Sequence, residues 1–468
     1  MHQIEFDRKL IEKYNISGPR YTSYPTVLTF SDAFAASDYQ EVASESNTAE
    51  KRKDLSLYFH IPFCARLCYY CACNKVVTKK RDMAIPYLER LKTELKRHAE
   101  LYGSDRDVAQ LHWGGGTPTF LSDDQIHALM AQTRHSFNLK SDQSGEFSIE
   151  IDPREVRPDT LATLRESGFN RMSLGIQDFE PAVQKAVNRI QSEELTESVI
   201  HSARALGFRS ISVDLIYGLP FQNLDTVSRT LEKVQQLNPD RISLYNYAHL
   251  PDRFMPQKRL RAEDMPQAAE KLDMLKLYIE TLTAAGYAYI GMDHFAKKTD
   301  ALYLAQENGS LYRNFQGYST HAECDLIAMG VSAIGTVGGN FYQNYKDLDP
   351  YYEALDSGEL PIEKGYRPST EDRLRRALIM RLICDFKLDF QSFAERWQID
   401  FPTHFRNELE RLRDMAEDGL LNLNPEGILV SARGRLLIRN ICMVFDQYIP
   451  PPVIVSDNEK RPRFSKVI

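Results

Sequence analysis

The sequence predicts an α/β fold built on a full or partial β/α barrel. Three observations predict it. Segments with the period-2 pattern of strands alternate about six times with segments of helical period. Strands separated by a helix run parallel, because a parallel neighbour requires a crossover. Glycine, proline and polar residues gather directly after the strand segments, where such sheets bind ligands. A doubly wound open sheet satisfies the same periodicity and stays open as an alternative.

The first strand is Leu55-Ser-Leu-Tyr-Phe-His-Ile61, where apolar and polar residues alternate. A loop rich in cysteine follows, then a helix around 87–102 with Leu88, Leu91, Leu95 and Ala99 at helical spacing. A second strand over 108–113 ends in Gly114-Gly-Gly-Thr-Pro-Thr119, with a helix from Asp123. A third over 146–151 ends in Asp152-Pro-Arg154, with a helix from Asp159. A fourth over 171–176 ends in Gln177-Asp178, with a helix from Glu193. A fifth over 210–216 ends in Tyr217-Gly-Leu-Pro220, with a helix from Leu224. A sixth over 241–245 ends in Asn246-Tyr-Ala-His249, with a helix over 267–285, and 288–292 offers one more strand. Gly168-Phe-Asn170, Gly207-Phe208 and Asn238-Pro-Asp240 stand where a helix must stop before the next strand.

After Pro368 the alternation gives way to helices over 371–384 and 403–418, a hairpin over 419–430 and a helix from Ser431. That order suggests a winged-helix-like module. A nucleic-acid reading needs a basic face, and Arg433, Arg435 and Arg439 are too few, so a lid or docking role is favoured.

The chain has 468 residues, 43% hydrophobic and 26% charged, with formal net charge -7. The length suits two or three domains, or one barrel with appendages. The acidic balance argues against binding polyanions, which need clustered Lys and Arg. No apolar run is long enough to span a bilayer. Seven cysteines is an odd number and no apolar signal segment opens the chain, so a disulfide framework is not expected. The expected compartment is a reducing cytoplasm.

Cys64, Cys68 and Cys71 have the spacing Cys-x3-Cys-x2-Cys. Three thiolates on one short loop can hold three corners of a cubane cluster and leave one iron without a protein ligand. A structural zinc ion would want four ligands. Cys73 sits too close to Cys71 to complete a tetrahedron comfortably, and no Cys-x2-Cys or His-x3-His partner follows. Cys324, Cys384 and Cys442 are isolated and read as small buried hydrophobes.

The three glycines at 114–116 read alone as a tight strand-end turn; beside the cysteine loop a ligand contact, with close backbone approach and N–H groups offered to it, is favoured. No dinucleotide or P-loop pattern surrounds them. Glu150, Asp152 and Asp214 lie on the polar faces of their strands. They read either as structural ion pairs, with Arg171 or Arg189, or as partners for ribose hydroxyls or an amino group of a cofactor. Tyr58 and His60 share a face, and packing is the simpler role for His60. No Ser–His–Asp arrangement supports hydrolysis.

The cysteine motif after a barrel strand resembles the radical S-adenosylmethionine (SAM) superfamily. Within it the whole chain resembles the oxygen-independent coproporphyrinogen III oxidase family. The likeness runs from Tyr14-Asn-Ile-Ser-Gly-Pro-Arg-Tyr-Thr-Ser-Tyr-Pro25 to Phe464-Ser-Lys-Val-Ile468. It includes Leu111-His-Trp-Gly-Gly-Gly-Thr-Pro-Thr119, Ile216-Tyr-Gly-Leu-Pro220, Met292-Asp-His-Phe-Ala296 and Arg313-Asn-Phe-Gln-Gly-Tyr318. The N-terminal segment and Cys73 set this family apart from related haem chaperones on the same barrel.

The resemblance implies a partial (β/α)6 TIM-like barrel over 54–365, an N-terminal extension over 1–53 covering the active site, and a mainly helical C-terminal domain over 366–468. It implies a [4Fe–4S] cluster ligated by Cys64, Cys68 and Cys71 but not Cys73. Tyr58, Gly115, Glu150 and Ile334 would line a first SAM site. Tyr70, Gly116, Thr117, Gln177, Arg189, Asp214 and Ala248, with Gln316 as a weaker candidate, would contact a second SAM. Tyr70 departs from the family's usual Phe but keeps an aromatic ring. The implied reaction is oxidative decarboxylation of two propionates of coproporphyrinogen III to vinyls, giving protoporphyrinogen IX, with a haem chaperone as the alternative function. The reaction requires an electron donor for the cluster and a terminal acceptor, and a monomer is expected. Arg20 is a candidate partner for a substrate propionate, since a tetracarboxylate needs cations nearby.

Overall fold

The computed structural model describes residues 4–103, 105–322 and 324–449. The chain divides into two compact units, each assembled from separate stretches of sequence. One comprises the described residues of Phe30–Gln267 and Glu323–Arg367; the other comprises those of Met1–Thr29, Ala268–Ala322 and Pro368–Ile468.

The first unit holds ten main strands: β1 Leu55–Ile61, β2 Asp107–Gly115, β3 Glu146–Ile151, β4 Arg171–Gln177, β5 Ser210–Tyr217, β6 Arg241–Asn246, β7 Asp325–Met329, β8 Ile334–Val337, β9 Asn340–Asn344 and β10 Ile362–Tyr366. Strands β1 to β6 stand side by side in chain order, all parallel. Every crossover therefore steps one strand in the same direction. Crossovers are right-handed, so the connecting helices fall on one face. That is barrel winding; a doubly wound sheet reverses direction at a switch point. The seventh strand, β7, runs parallel to the free edge of β1, where a curling barrel brings its next strand. Its other edge takes β8, β9 and β10 as an antiparallel run.

The crossovers contain α1 Ala84–Leu101, α2 Asp123–Ser136, α3 Thr160–Glu166, α4 Pro181–Ala186, α5 Glu193–Ala205 and α6 Leu224–Leu237. Ser122 caps α2 reciprocally with Gln125, and Asn238, at φ +50°, ends α6 in the left-handed region. The six-residue α4 was not expected, because it is too short to show a period.

The expected extra strand at 288–292 is present as Tyr287–Gly291. It forms an antiparallel hairpin with His294–Lys297 in the second unit. The true seventh strand, Asp325-Leu-Ile-Ala-Met329, is buried along its whole length and carries no alternation to read.

The barrel strands are two-faced. Leu57 and Phe59 on β1, Leu111 and Trp113 on β2, Ile149 on β3, Leu174 on β4 and Val213 on β5 are fully buried. The alternate positions are polar, and register places them in rows: Tyr58 beside His112 and Ser148, Glu150 beside Ser173 and Ser212, Asp214 beside Ser243. A barrel interior is ordinarily packed with Val, Ile and Leu. Here the apolar face serves the helices and the other face is a polar lining suited to a ligand.

In the second unit, Thr370–Asp385 is followed by the strand Lys387–Asp389, then the helices Phe390–Trp397, Phe401–His404 and Arg406–Glu417. The strands Leu421–Asn424 and Gly427–Val430 form the expected hairpin, and Lys387–Asp389 pairs with the outer side of Gly427–Val430. The helix expected over 403–418 is broken at Phe405. The helix expected from Ser431 begins only at Ile438. Turns occupy the gap, because a Cβ on Gly434 would lie 1.9 Å from the Leu420 carbonyl oxygen.

The arginines weighed for nucleic-acid contact are spent within this unit. Arg433 pairs with Glu5, Arg435 lies 4.5 Å from the Phe386 ring centroid, and Arg439 donates to the carbonyls of Gly18 and Pro19. Tyr14 donates to Asp418, and Tyr21 donates to Asp446 at 2.9 Å. Arg20 is held by Asp293, so a propionate would compete with that carboxylate. Cys384 and Cys442 are fully buried as expected, whereas Cys324, in the first unit, is only half-buried. Phe464–Ile468 lies outside the described residues.

Candidate active site

The cysteines occupy the loop leaving β1, at the carboxyl end of the sheet, and none is in a disulfide. Backbone bonds fix this loop on three sides. The Gly116 and Thr117 N–H groups donate to the carbonyls of Ile61 and Phe63, at 2.8 and 2.9 Å. The Val76 and Thr78 N–H groups donate to Pro62 and Cys64, at 2.8 and 2.9 Å. Tyr69 N–H donates to the Val187 carbonyl at 3.0 Å, and the Asn188 side chain donates to the Leu67 carbonyl at 2.7 Å.

The triple glycine therefore works by space. A Cβ on Gly116 would lie 2.5 Å from the Pro62 carbonyl oxygen, and one on Gly115, at φ +114°, would lie 2.6 Å from the His60 ring. The expectation that these N–H groups face a ligand does not hold for two of them. Gly116 N–H is bound to Ile61, and Gly115 N–H donates to Glu150 at 3.1 Å. Close packing of the two loops consumes the donors.

Each of the three cysteines of the spaced motif has its own surroundings. Cys64 Sγ lies 3.6 Å from Thr117 Oγ1. Burial pushes its thiol up to about 12, against the pull of that bond. Cys68 is buried, and its sulfur accepts from two guanidinium groups, Arg154 at 3.4 Å and Arg189 at 3.6 Å. Both arginines also hold Asp152, at 2.7 and 3.1 Å. The Cys73 thiol donates to Cys71, which with the Lys75 ammonium outweighs burial and lowers Cys71 to about 6. Cys73 itself is exposed. Cys68 and Cys71, held among cationic donors, suit thiolate ligands of an iron–sulfur cluster. Among the described residues no group of three or more His, Cys, Asp or Glu side chains surrounds a single-ion position.

Tyr58, His60, His112 and Glu150 form one connected patch of the polar lining. Tyr58 Oη and His60 Nδ1 are 3.1 Å apart, and the other ring nitrogen of His60 lies 3.0 Å from the Asn74 carbonyl. His60 is thus satisfied and buried, which fits its packing role. His112 stacks beneath Tyr58 and reaches Glu150 at 3.4 Å. Burial raises the Glu150 pKa, but His112 and the Gly115 N–H outweigh it and hold the carboxyl below its ordinary value. Glu150 is paired with neither Arg171 nor Arg189; Arg171 reaches Glu146 at 3.3 Å. Asp152 carries the structural ion pair instead.

Deeper along the lining, Asp214 accepts from Ser173 at 3.2 Å. Burial, then the charge of Glu150, pushes its carboxyl up to about 7. Gln177, at φ +69°, sits beside Arg189: a Cβ on Gly175 would lie 2.7 Å from the Gln177 amide nitrogen and 2.8 Å from Arg189. Tyr70 packs against Val183, Val187, Ile216 and Leu219. Ala248 is exposed, and Ile334 opens β8 half-buried. Gln316 belongs to the second unit, where its side-chain nitrogen is buried without a hydrogen-bond partner.

Sequence reasoning missed Arg154 and His112 as site residues. Both left a signal, Arg154 in the strand-end run Asp152-Pro-Arg154 and His112 on the polar face of β2. Neither is adjacent in sequence to the group it serves.

Residues 58–234 match the model of the radical SAM superfamily, and residues 369–437 match that of the HemN C-terminal domain. The chain is 50% identical over 465 residues, 99% of each chain, to the oxygen-independent coproporphyrinogen III oxidase of Pseudomonas aeruginosa. It is 46% identical over 468 residues, 100% of each chain, to that of Escherichia coli K12. The solved structure of coproporphyrinogen III oxidase from Escherichia coli, described as a radical SAM enzyme, superposes with a TM-score of 0.91 at 45% identity, covering 96% of this chain and 100% of that one. The haem-chaperone alternative finds no support among these matches. End-to-end identity at this level, on a sheet that carries the cysteine loop at its carboxyl end, decides membership: the chain belongs to the oxygen-independent coproporphyrinogen III oxidase family of radical SAM enzymes.

Proposed function

We propose that the chain converts two propionate side chains of coproporphyrinogen III to vinyl groups, giving protoporphyrinogen IX in anaerobic haem biosynthesis. The observation that carries this reading is the Cys64–Cys68–Cys71 loop at the mouth of a polar-lined sheet, in a chain matched along its whole length by oxidases of that name. Each propionate loses a β-hydrogen, carbon dioxide and one electron, and the electron passes to an acceptor. When bound, the [4Fe–4S] cluster and SAM supply the carbon radical that removes the hydrogen; the hard chemistry belongs to the cofactors.

The chain's own residues hold and shield those groups. Cys64, Cys68 and Cys71 would each ligate one iron, with Cys73 outside the set. Tyr58, Gly115, Glu150 and Ile334 would line the first SAM site, where Glu150 is kept charged by His112. Gly116, Thr117, Tyr70, Gln177, Arg189, Asp214 and Ala248 would meet a second SAM, with Gln316 a further contact. In the proposed division, 1–53 covers the active site, 54–365 carries the cofactors and 366–468 forms the helical domain. The order helix, strand, three helices, strand, strand after Pro368, with the first strand pairing to the last, supports a winged-helix-like module. Among the described residues no helix is long and apolar enough to cross a membrane; a cytoplasmic monomer is the proposed form.

Anaerobic incubation with SAM, a reductant and coproporphyrinogen III tests the function. Methionine, 5′-deoxyadenosine and protoporphyrinogen IX are expected together. A haem adduct with no protoporphyrinogen would overturn the reading.

The Asp214 carboxyl makes a pH prediction. Its folded pKa is raised to about 7, so the charged form that accepts hydrogen bonds from ribose hydroxyls gains population as pH rises through that value. Binding of the second SAM is expected to tighten from pH 6 to 8, and Asp214→Asn to flatten the profile. Equilibrium binding of labelled SAM across that range checks it; an unchanged slope in the variant would remove Asp214 from the site.

A further inference from the structure

The reaction needs electrons from outside, and the surface around the cysteine loop is built differently from the rest of the chain. The whole protein carries a formal charge of -7, yet residues 64–81 contain Arg66, Lys75, Lys79, Lys80 and Arg81 and no carboxylate. Lys75 and Arg81 are committed: Lys75 donates to the carbonyls of Cys71 and Cys73, and Arg81 pairs with Glu155. Arg66, Lys79 and Lys80 are exposed, and no side-chain partner for them stands among the described residues.

Backbone bonds place these cations at the cysteines. Arg66 lies between Cys64 and Cys68. Phe63–Cys64 pairs with Val76–Val77, so Lys79 and Lys80 leave the edge of the Cys64 segment. On the opposite side of the loop, Tyr69 is bonded to Val187 at the end of α4, which carries exposed Lys185. The Arg259 guanidinium lies 5.1 Å from the Tyr69 ring centroid. The exposed carboxylates on these segments are Asp82, Asp252, Glu194 and Asp347, the last next to exposed Lys346, whose carbonyl accepts from the Asn74 side chain at 2.8 Å. Glu180 and Glu263 are taken by Arg229 and Arg261.

Apolar side chains are exposed among the cations. Val77, Ile190 and Met255 are 44%, 67% and 68% exposed. Val77 pairs in register with Cys64, Ile190 follows Arg189, and Met255 is close to Gln257, whose amide donates to the Tyr70 carbonyl at 3.1 Å. Apolar contacts ringed mainly by charge of one sign are the anatomy of a transient protein interface, where complementary charge steers encounter.

We propose that this face, centred on Arg66, Lys79 and Lys80, docks an acidic one-electron carrier protein. The inference rests on the radical SAM reading. The docked carrier gives up one electron and is oxidised by one; the cluster held by the loop takes it, passing from the 2+ to the 1+ level. The short path suits this site, because the loop's Cys73 edge is exposed here while the polar lining lies on the inner side of the strands.

The test compares the reconstituted holoenzyme with the Arg66→Glu/Lys79→Glu/Lys80→Glu variant. The probe is a purified acidic flavodoxin in its hydroquinone form, mixed anaerobically by stopped flow, with cluster bleaching as the signal. The second-order rate constant of the wild type is expected to fall steeply with added salt. The variant is expected to be at least about tenfold slower at low salt, with little salt dependence. Iron and sulfide content and the end-point of dithionite reduction are expected to match the wild type, which shows that the variant is folded and loaded. Equal rates and equal salt slopes in the two proteins would overturn the docking face. A wild type without iron and sulfide, or one that dithionite does not bleach, would instead overturn the radical SAM reading beneath it.

Discussion

Replacing Cys64, Cys68 or Cys71 singly with Ser is expected to abolish cluster assembly, with iron and sulfide falling from about four of each per chain to background. The reason is geometric. The loop has no spare thiolate in position. Cys73 is the nearest candidate, but its sulfur is directed to Cys71 and its backbone is tied by the Lys75 ammonium. A serine hydroxyl would have to be deprotonated in a buried loop to replace a thiolate, which its high pKa opposes. Cys73→Ser is expected to retain the full iron and sulfide content. The pair of results separates ligand from neighbour. Normal iron and SAM cleavage in any of the first three variants would refute the assignment, and loss of iron in Cys73→Ser would add a fourth ligand.

The three replacements should not be equivalent in the apo-protein. Cys68 alone sits under two buried guanidinium groups. Cys68→Ser puts a shorter hydroxyl in place of the sulfur that accepts from both arginines, leaving Arg154 with Asp152 and Arg189 with Asp152 and the Gly175 carbonyl, so its thermal stability is expected to drop more than that of Cys64→Ser, whose partner is a neutral hydroxyl.

Much of this arrangement was legible in the residues. The strand β1 announced itself by alternation, and alternation also sorted Tyr58, Glu150 and Asp214 onto the polar face, where the register then aligned them. Local rules sufficed because period 2 is a local property. The seventh strand escaped because Asp325-Leu-Ile-Ala-Met329 is buried along its whole length and looks the same as a buried helix segment in so short a window. The choice between barrel and doubly wound sheet needed strand order, which is a matter of long-range pairing. The glycine N–H groups were misread for a related cause. Glycine at a strand end advertises close approach, but whether ligand or chain comes close depends on Pro62 and His60, more than fifty residues away. Arg154 illustrates the same limit: its target Cys68 lies 86 positions earlier, and nothing between them links the two.

The second large effect is expected from Asp152→Asn. Asp152 is 11% exposed and joins Arg154 and Arg189, themselves 4% and 7% exposed. Burial raises the Asp152 pKa, but the two guanidinium groups overcome it and hold the carboxyl at about 2. Amide in place of carboxylate leaves two buried cations facing each other beside Cys68. Removing one partner of a buried charged cluster costs about 3–5 kcal/mol, against roughly 0–1 for an exposed pair. The exposed Arg52–Asp105 pair is the internal control, and Asp105→Asn is expected to change little. Urea unfolding of the apo-proteins in a Trp397→Phe background, followed by the buried Trp113, reports on the barrel unit itself. The sign with pH follows from the depressed pKa. The carboxylate's contribution is complete above the unfolded value of about 3.9 and is lost as pH falls through about 2, so wild type and variant should converge in acid. In the loaded protein the same variant adds net positive charge beside one sulfur, and the cluster's midpoint potential is expected to become less negative. Equal urea midpoints for Asp152→Asn and Asp105→Asn would show that the arginines find other partners, and that Asp152 does not organise the cationic wall behind Cys68.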